Sequence, residues 1–174
     1  MKNKIATLLL CLILIIFCFK TQAQSFGTGL DGAGIITSLA YLDADRAEVS
    51  SIDVSNLIIY FGTHKYGKFT STSNPFTFYG NPSWDKFLII QMEGGDIGTY
   101  TIVDINWWYS SPYGIGVQYN TDLANFDFTS GSVVQIIRIP QFTSLEINQN
   151  GVATCNTYDH YTGGVLMFMA NSKL

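Results

Sequence analysis

The sequence predicts an all-β protein, and three features of the chain support this. Short runs rich in Val, Ile, Thr, Tyr and Phe recur from residue 35 to the end. Clusters of Gly, Asn, Ser and Pro, which favour turns, separate these runs at short intervals. No segment after residue 23 has the apolar spacing of a long helix. We therefore expect an antiparallel β-sandwich of about ten strands, with a closed β-barrel as the alternative.

The candidate strands are defined by their β-branched and aromatic content. They comprise residues 35–42, 57–62, 76–79, 86–92, 99–105, 116–120, 126–128, 132–139, 144–148, 152–157 and 165–170. A single helical turn is expected at 81–86, where Pro82 suits the first helical position. Asn150-Gly151 is the clearest hairpin signal, because both residues accept the positive φ of a type I′ turn.

Alternation separates strands with two buried faces from strands with one wet face. The runs 87–90, 133–137 and 165–169 are apolar on both faces, whereas runs such as 145–147 alternate apolar and polar residues. We expect the first kind to be covered on both sides. In a sandwich, a loop, a helix or a partner would cover the outer face.

The first 23 residues have the parts of a secretory signal peptide. Two lysines precede an apolar run at 5–19, and Ala23 provides a small residue before the cut. The run is shorter than the roughly 20 apolar residues that a membrane-spanning helix needs. We expect cleavage after Ala23, with retention or a lipid anchor at Cys18 as alternatives. Cleavage leaves residues 24–174 as a single all-β domain without a membrane span, which is periplasmic, on the outer surface or secreted.

The chain is acidic, with nine Lys and Arg residues against thirteen Asp and Glu residues. Three of the lysines lie in the leader, so residues 24–174 carry six basic and thirteen acidic residues, a net charge of −7. The remaining basic residues are scattered rather than clustered. Because phosphate backbones require a basic stripe, we expect no nucleic-acid partner, and an anionic membrane surface is equally disfavoured.

The cysteine content suits an exported chain without disulfides. Cys11 and Cys18 lie in the leader, so Cys155 alone remains in the exported domain and no internal disulfide is possible. A domain of about 150 residues buries about 68–70% of its unfolded surface, which is enough to fold without one. Cys155 is expected to be a small buried hydrophobic residue.

Signals for catalysis are sparse. A Cys-His dyad would have to join Cys155 to His160, but in an extended segment these residues point to opposite faces. The thirteen acidic residues offer many carboxylate pairs for glycoside chemistry, which requires a separation that composition cannot supply. No phosphate-loop or dinucleotide motif is present. We therefore favour a non-catalytic protein without a cofactor, and a hydrolase acting on polysaccharide is an alternative.

One acidic segment is a weak candidate for a calcium site. Asp43, Asp45 and Glu48 place three carboxylates within six residues. An EF-hand loop would have Gly at its sixth position and Glu at its twelfth, where this chain has Glu48 and Val54. A solvated charged turn is therefore favoured over a metal site.

The strongest candidate for a binding surface is aromatic. Adjacent tryptophans in an extended segment point to opposite sides, so one can pack in the core while the other stays near solvent. An exposed ring offers a face to pyranose C–H groups, and neighbouring amides bind hydroxyls. Core packing and contact with a surface protein are the alternatives. The candidate ligand-binding residues are Trp107, Trp108, Tyr113, Asn106, Tyr119 and Trp84.

Four short segments follow one another in the second half of the chain. They are Gly98-Thr99-Tyr100-Thr101-Ile102, then Ser130-Gly131-Ser132-Val133 with Ile137-Arg138-Ile139, then His160-Tyr161-Thr162-Gly163-Gly164. With a leader that ends Gln22-Ala23-Gln24, this layout resembles small exported β-sandwich domains of unknown function from Gram-negative bacteria. The resemblance implies an exported β-sandwich and carries over no functional residue.

These features lead to one preferred function and two alternatives. We expect an exported, non-catalytic binding module that contacts a glycan or other cell-surface material through exposed aromatic residues. The first alternative is a barrel or sandwich that holds a small hydrophobic ligand, because the run 166–169 contains two methionines, which adapt to irregular shapes. The second alternative is the hydrolase.

Overall fold

The computed structural model describes residues 31–71, 85–110, 113–117 and 123–171, with the backbone alone for 105–110, 113, 116 and 117. These residues form strands and turns, with one 3₁₀ turn at Gly67–Thr70. The strands are β1 (Ala33–Ile36), β2 (Leu39–Tyr41), β3 (Arg46–Asp53), β4 (Ile58–Lys65), β5 (Lys86–Glu93), β6 (Tyr100–Ser110), β7 (Tyr113–Val117), β8 (Val133–Ile139), β9 (Gln141–Phe142), β10 (Ser144–Ile147), β11 (Val152–Thr154) and β12 (Met169–Ala170). The all-β prediction is confirmed.

Six strands form a curled antiparallel sheet whose hydrogen-bonding ladder closes on itself. Their order is β3-β4-β7-β6-β5-β8, and β8 returns to pair with β3. The sequence left a closed barrel as the alternative without predicting a strand order, and the two-layer sandwich is not confirmed. Closure gives each of these strands a neighbour on both sides, which removes free edges from the sheet.

The inner side of the sheet holds the main hydrophobic core. Residues that face each other across β3 and β8, such as Ala47 and Ile136, point inward and are fully buried. The 3₁₀ turn adds Phe69, whose ring lies edge-on to Phe61 at 4.9 Å and to Phe87 at 5.8 Å between centroids. Such aromatic pairs contribute about 0.5–1.5 kcal/mol beyond the burial of their area. The turn is thus fixed to the core by its aromatic residue.

β5 and β8 are buried on both faces, as the sequence predicts. Gln135 and Ile137 alternate with inward-facing residues and so lie on the outer side of the wall, yet they are 0% and 1% exposed. The segment 156–164 covers Gln135, whose side-chain amide bonds to the backbone of Gly163. The outer wall of the barrel can therefore be apolar because another part of the same chain covers it.

Three parallel pairs lie outside this sheet. β1 pairs with β10, β2 with β11, and β12 with β9. Residues 31–42 therefore run alongside residues 141–154, and we call these two segments the terminal ribbon. The expectation of antiparallel pairing throughout is wrong here. Parallel partners such as Asp31 and Gln141, 110 residues apart, leave no local turn signal in the sequence.

Two local predictions are also wrong. The solvated turn expected at 43–48 runs into β3, where Arg46 and Ala47 are buried. Asn150-Gly151 does belong to a turn, closed by a 2.7 Å hydrogen bond from Gly151 N to Asn148 O. The flanking strands β10 and β11 pair with β1 and β2 rather than with each other, so the turn makes no hairpin.

The remaining differences concern the extent of elements. Residues 126–128 are not a strand, and of the predicted run 165–170 only Met169–Ala170 pairs as one. The expectation that 165–169 is covered on both faces is wrong, because Leu166 is 47% exposed and its neighbours are only partly buried. The predicted strand at 76–79 and most of the predicted turn at 81–86 lie outside the described residues, as does the leader. Within the described ranges, no helix has the length and hydropathy needed to cross a bilayer.

Candidate functional site

The predicted aromatic residues fall on one hairpin of the barrel. Asn106, Trp107 and Trp108 lie near the end of β6, and Tyr113 begins β7, which pairs with it. The backbone therefore brings these four positions to one end of two neighbouring strands. The described side chains do not include them, so the exposure of either tryptophan stays a prediction. Trp84 and Tyr119 lie outside the described residues.

A second aromatic surface, which the sequence analysis missed, forms around the segment 156–164. We call it the loop surface; it combines side chains of this segment with side chains from β3, β4 and β5 and from the residue after β4. Both histidines of the chain belong to it. Its members are Glu48, His64, Tyr66, Glu93, Tyr158, Asp159, His160 and Tyr161.

Asp159 organises the tip of this segment. Its Oδ1 accepts hydrogen bonds from Tyr161 N at 3.0 Å and Thr162 N at 2.7 Å, and its Oδ2 accepts one from the Tyr66 hydroxyl at 2.9 Å. The bond to Asp159 is the main reason why the pKa of Tyr66 is raised. An Asp whose carboxylate binds the N–H groups two and three residues on is a known turn former. That pattern, followed by Gly163-Gly164, is the sequence signal that could have revealed the loop surface.

Two buried side chains of the barrel wall bind the segment 156–164. The Gln135 amide accepts from Gly163 N at 2.8 Å and donates to Gly163 O at 2.9 Å. Arg46 Nε donates to Thr162 Oγ1 at 3.1 Å, and its guanidinium lies 4.1 Å from the centre of the Tyr66 ring. Gly163 has φ +95°, and a Cβ there would lie 2.7 Å from Thr157 O, so the close approach requires glycine.

The exposed centre of the loop surface is a stacked pair of rings. The Tyr161 and His64 rings lie 3.5 Å apart between centroids, with an angle of 11° between their planes. His64 Nδ1 lies 2.9 Å from Glu48 Oε2, which fixes the orientation of the imidazole. Tyr161 remains 41% exposed. Tyr161 is therefore accessible to solvent while one face of its ring stacks on His64.

Glu93 marks the other side of the loop surface. Its Oε1 accepts a hydrogen bond from the Tyr158 hydroxyl at 2.9 Å and lies 3.2 Å from His160 Nδ1. Burial, and then the bond to Glu93, raises the pKa of Tyr158 well above its usual value. The His160 side chain is 84% exposed, so it is free to contact a ligand on its other edge.

The electrostatics of these carboxylates disfavour acid catalysis. Hydrogen bonds, led by that from Tyr158, lower the pKa of Glu93. Burial acts to raise the pKa of Asp159, but the hydrogen bonds it accepts, led by that from Thr162 N, together lower it. The general acid of a glycosidase needs a raised pKa. Neither carboxylate therefore suits the proton donor that the hydrolase alternative requires.

The three candidate calcium ligands have three separate partners. Asp43 binds the backbone and side-chain N–H groups of Asn156, Asp45 accepts from Lys68 N at 2.8 Å, and Glu48 pairs with His64. Among the residues that the structure describes, no group of three or more potential His, Cys, Asp or Glu ligands comes together.

Cys155 and His160 are not positioned by one strand. The parity argument assumed an extended segment from 152 to 161, but β11 ends at Thr154. Cys155 is half-buried rather than fully buried. The ring of His160 contacts Glu93 and Tyr158, and these contacts, rather than a thiol, account for its placement.

A half-open groove lies beside β10. Its volume is about 320 Å³, and it is lined by Leu145, Glu146, Ile147 and Phe168. Phe168 lies between the two methionines that suggested a small-ligand site. The groove is open to solvent on one side, in contrast to the closed cavity that a barrel interior would provide.

Comparison of the chain with protein-family models, with curated proteins and with solved structures gave no match. The resemblance drawn from the sequence therefore rests on its motifs alone.

Proposed function

We propose that this protein is a non-catalytic binding module whose target is a glycan or similar cell-surface material. The stack of Tyr161 on His64 carries the proposal. Pyranose C–H groups pack on flat aromatic faces, and a ring that is already held in place loses little conformational entropy when a ligand binds. Tyrosine in addition combines a large apolar face with a polar tip, which suits contact with an amphipathic sugar.

Groups that bind hydroxyls lie on the other side of the loop surface. The side chain of Glu93 is 39% exposed, and that of the neighbouring His160 is 84% exposed. An ionised carboxylate accepts hydrogen bonds from sugar hydroxyls, and a neutral imidazole has one donor and one acceptor. The presence of an exposed aromatic residue and of such groups on one surface favours a sugar over a purely apolar ligand.

The tryptophans of β6 supply a second proposed contact set. Trp108 lies opposite Ile115 of β7, which in turn pairs with Ile59 of β4. The distance along β4 from Ile59 to His64 is about 17 Å at the rise of an extended strand. The two aromatic sets are therefore separate subsites, which suits a polymer better than a single sugar.

A glycan array with the purified protein and single variants tests this function. We expect a signal for at least one glycan class and an affinity about tenfold lower in Tyr161→Ala, because one lost aromatic contact is worth about 1 kcal/mol or slightly more. We expect a similar loss in Trp107→Ala or in Trp108→Ala. Tyr100→Ala is the matched control, since Tyr100 is a 65% exposed tyrosine elsewhere on β6. An array without signal, or an equal loss in the control, would contradict the proposal.

The groove beside β10 supports a second candidate, binding of a small hydrophobic ligand. Its volume of about 320 Å³ is at the lower end of the range for small-molecule pockets. An apolar dye whose fluorescence rises on burial is the probe. We expect enhancement with the wild-type protein and its loss in Phe168→Ala, with Leu166→Ala, a 47% exposed neighbour, as control. If the fluorescence of the dye does not rise with the wild-type protein, this second candidate function is wrong.

We also propose export, on the basis of the leader. Sequencing the amino terminus of the protein recovered from its producing cells is the direct test. A start at Gln24 is expected. Recovery of the chain with its first residues intact would contradict cleavage.

A further inference from the structure

Carboxylates supply the fixed charge of the loop surface. Its members include Glu48, Glu93 and Asp159, and neither lysine nor arginine is among them. Arg46 lies beneath the segment 156–164 and is only 7% exposed, so it is shielded from a ligand. The pKa of Glu93 and that of Asp159 both lie below their ordinary values, so both carboxylates are ionised at neutral pH. A ligand on this surface therefore meets negative rather than positive charge.

Glu93 is the carboxylate best placed to contact a ligand. The Tyr158 hydroxyl and His160 Nδ1 both lie against its Oε1, at 2.9 Å and 3.2 Å, and its Oε2 makes no hydrogen bond with the residues that the structure describes. Its side chain is 39% exposed, against 25% for that of Glu48. In Asp159 both oxygens already accept hydrogen bonds from the chain. A donor on a ligand can therefore reach Oε2 of Glu93 without displacing a protein contact.

A chain of sugars, rather than a single sugar, is needed to contact both the stacked ring and Glu93. Glu93 lies on the other side of the loop surface from the stack, and the two sides are joined by His160, which contacts Glu93, and by Tyr161, the next residue. The His160 side chain is 84% exposed and Tyr161 is 41% exposed. Accessible groups thus continue from the ring to the carboxylate, and an oligosaccharide can place one unit on Tyr161 and a later unit at Glu93.

We propose that Glu93 makes the loop surface selective for glycans with free amino groups, such as chains of glucosamine. This inference rests on the proposed glycan-binding function. The ammonium group of one sugar unit donates a hydrogen bond to Oε2 of Glu93 while another unit packs on Tyr161. A hydrogen bond between two ionised groups is roughly twice as strong as a neutral one, so the ammonium group is preferred to a hydroxyl at this position.

The charge of the whole domain acts in the same direction. Residues 24–174 contain six basic and thirteen acidic residues, so the field of the protein attracts a polycation. The same field, together with Glu93, repels glycans that carry carboxylate, sulfate or phosphate groups. Selectivity of this kind needs an attractive contact with one ligand and a repulsive contact with its competitors. A carboxylate beside an aromatic contact provides both.

Hexamers of glucosamine and of N-acetylglucosamine give the first test, because they share ring and linkage and differ in charge. At about pH 7 an amine of this kind is largely protonated and an unperturbed imidazole largely neutral. By calorimetry at low salt, we expect wild-type protein to bind the glucosamine hexamer at least threefold more tightly, as one exposed ion pair allows. This preference should shrink as salt is added.

The outcomes separate this inference from the proposed function. Equal affinity for the two hexamers, or tighter binding of the acetylated one, would overturn the selectivity and leave glycan binding in place. If neither hexamer binds, the selectivity is also wrong, and the glycan array then decides the proposed function by itself. A preference that does not change with salt would contradict an ionic contact.

Variants assign the preference to Glu93. Glu93→Gln keeps the size of the side chain and removes its charge, so the ratio of the two affinities should fall to about one. Glu146→Gln, which removes a negative charge at an exposed position of β10, is the matched control and should keep the wild-type ratio. Tyr161→Ala should weaken the binding of both hexamers. A preference that survives Glu93→Gln, or that is lost equally in Glu146→Gln, would overturn the proposal. The salt dependence of the wild type decides the question if Glu93→Gln fails to fold.

Discussion

At the residue scale, the buried carboxylate of Asp43 ties the segment 156–164 to the chain that precedes β3. Its Oδ1 accepts hydrogen bonds from Asn156 N at 2.8 Å and Asn156 Nδ2 at 2.7 Å, and the residue is 1% exposed. Its Oδ2 has no hydrogen-bond partner among the described residues. Among the described residues, Oδ1 therefore makes both side-chain hydrogen bonds of Asp43.

This asymmetry predicts different outcomes for two substitutions. Asp43→Ala removes the acceptor and leaves two partly buried donors of Asn156 unpaired, which we expect to lower the free energy of unfolding by about 1–3 kcal/mol. Asp43→Asn keeps a carbonyl oxygen in the place of Oδ1 and removes a buried charge, so we expect less than half of that loss. Urea unfolding monitored by circular dichroism gives both values. Equal losses would show that charge, rather than the acceptor, is what matters at Asp43.

The lowered pKa of Glu93 predicts that the stability of the fold depends on pH. Its pKa lies below the ordinary value of 4.5 because of hydrogen bonds, first that from Tyr158. A carboxylate with a lowered pKa in the folded state stabilises the fold above its ordinary pKa and loses that contribution as the pH falls through the folded value. Glu93→Gln should therefore lower the melting temperature at neutral pH, and the difference from the wild type should narrow below pH 4.5.

Thermal unfolding between about pH 7 and pH 3 measures this difference. Glu146→Gln, at an exposed position of β10, is the control for the general effect of removing one negative charge. If the difference in melting temperature between Glu93→Gln and the wild type stays constant over this pH range, the lowered pKa of Glu93 is contradicted.

At the element scale, the segment 156–164 depends on left-handed backbone at His160, Gly163 and Gly164, with φ of +70°, +95° and +76°. Among these, His160 alone has a Cβ, and a residue other than glycine in this region is strained by roughly 1–2 kcal/mol. We therefore expect His160→Gly to be more stable than His160→Ala by about 1 kcal/mol, although both lose the contact with Glu93. Denaturant unfolding of the pair isolates backbone strain from side-chain loss. If the alanine variant is as stable as the glycine variant, φ at this position is not strained.

Individual elements show what the sequence could and could not predict. β5 and β8 were found because their apolar residues occupy both faces, and this pattern needs no partner to be recognised. β3 was missed although Ala47 and Val49 alternate with Arg46 and Glu48, because the charges suggested solvent. Arg46 is buried under Thr162, 116 residues away, and Glu48 pairs with His64. The loop surface escaped prediction for the same reason, since its partners come from distant parts of the chain.

At the scale of the whole molecule, a buried ion-pair cluster joins the terminal ribbon to the barrel. Arg138 of β8 lies 2.5 Å from Asp85 and 2.7 Å from Asp31, and both Arg138 and Asp85 are almost inaccessible to solvent. Asp31 in addition accepts a hydrogen bond from Gln141 N at 2.6 Å. The start of the ribbon, the strand β8 and the residue before β5 are thus held at one point.

Removing one member of this cluster should lower the free energy of unfolding strongly, whereas replacing all three charged side chains should lower it less. We expect Arg138→Met to lower the free energy of unfolding by about 3–5 kcal/mol, because it removes the buried cation that Asp85 and Asp31 share. The triple variant Asp31→Asn, Asp85→Asn, Arg138→Met should recover at least half of this loss, since no uncompensated charge remains. Chemical denaturation measures the free energy of unfolding of both variants and of the wild type. A triple variant as unstable as the single one would show that packing of the guanidinium, and not its charge, is required.

The all-β class follows from composition and alternation, whereas the closure of the sheet and the pairing of the terminal ribbon do not. Alternation reports which residues are buried, but it does not report which distant strand lies next to which. Asp31 and Gln141 illustrate this. Neither residue stands out in its own segment, and the hydrogen bond between them joins two parts of the chain that are 110 residues apart.

The parallel pairing of residues 31–42 with residues 141–154 also sets the order in which the molecule can be completed. During synthesis, the first of these segments cannot join its partner until residues 141–154 have been made, and all six barrel strands lie between the two. Long-range pairings of this kind are slow to form. The polypeptide is therefore expected to stay incompletely folded until residues 141–154 have been made, even when every strand of the barrel is already present.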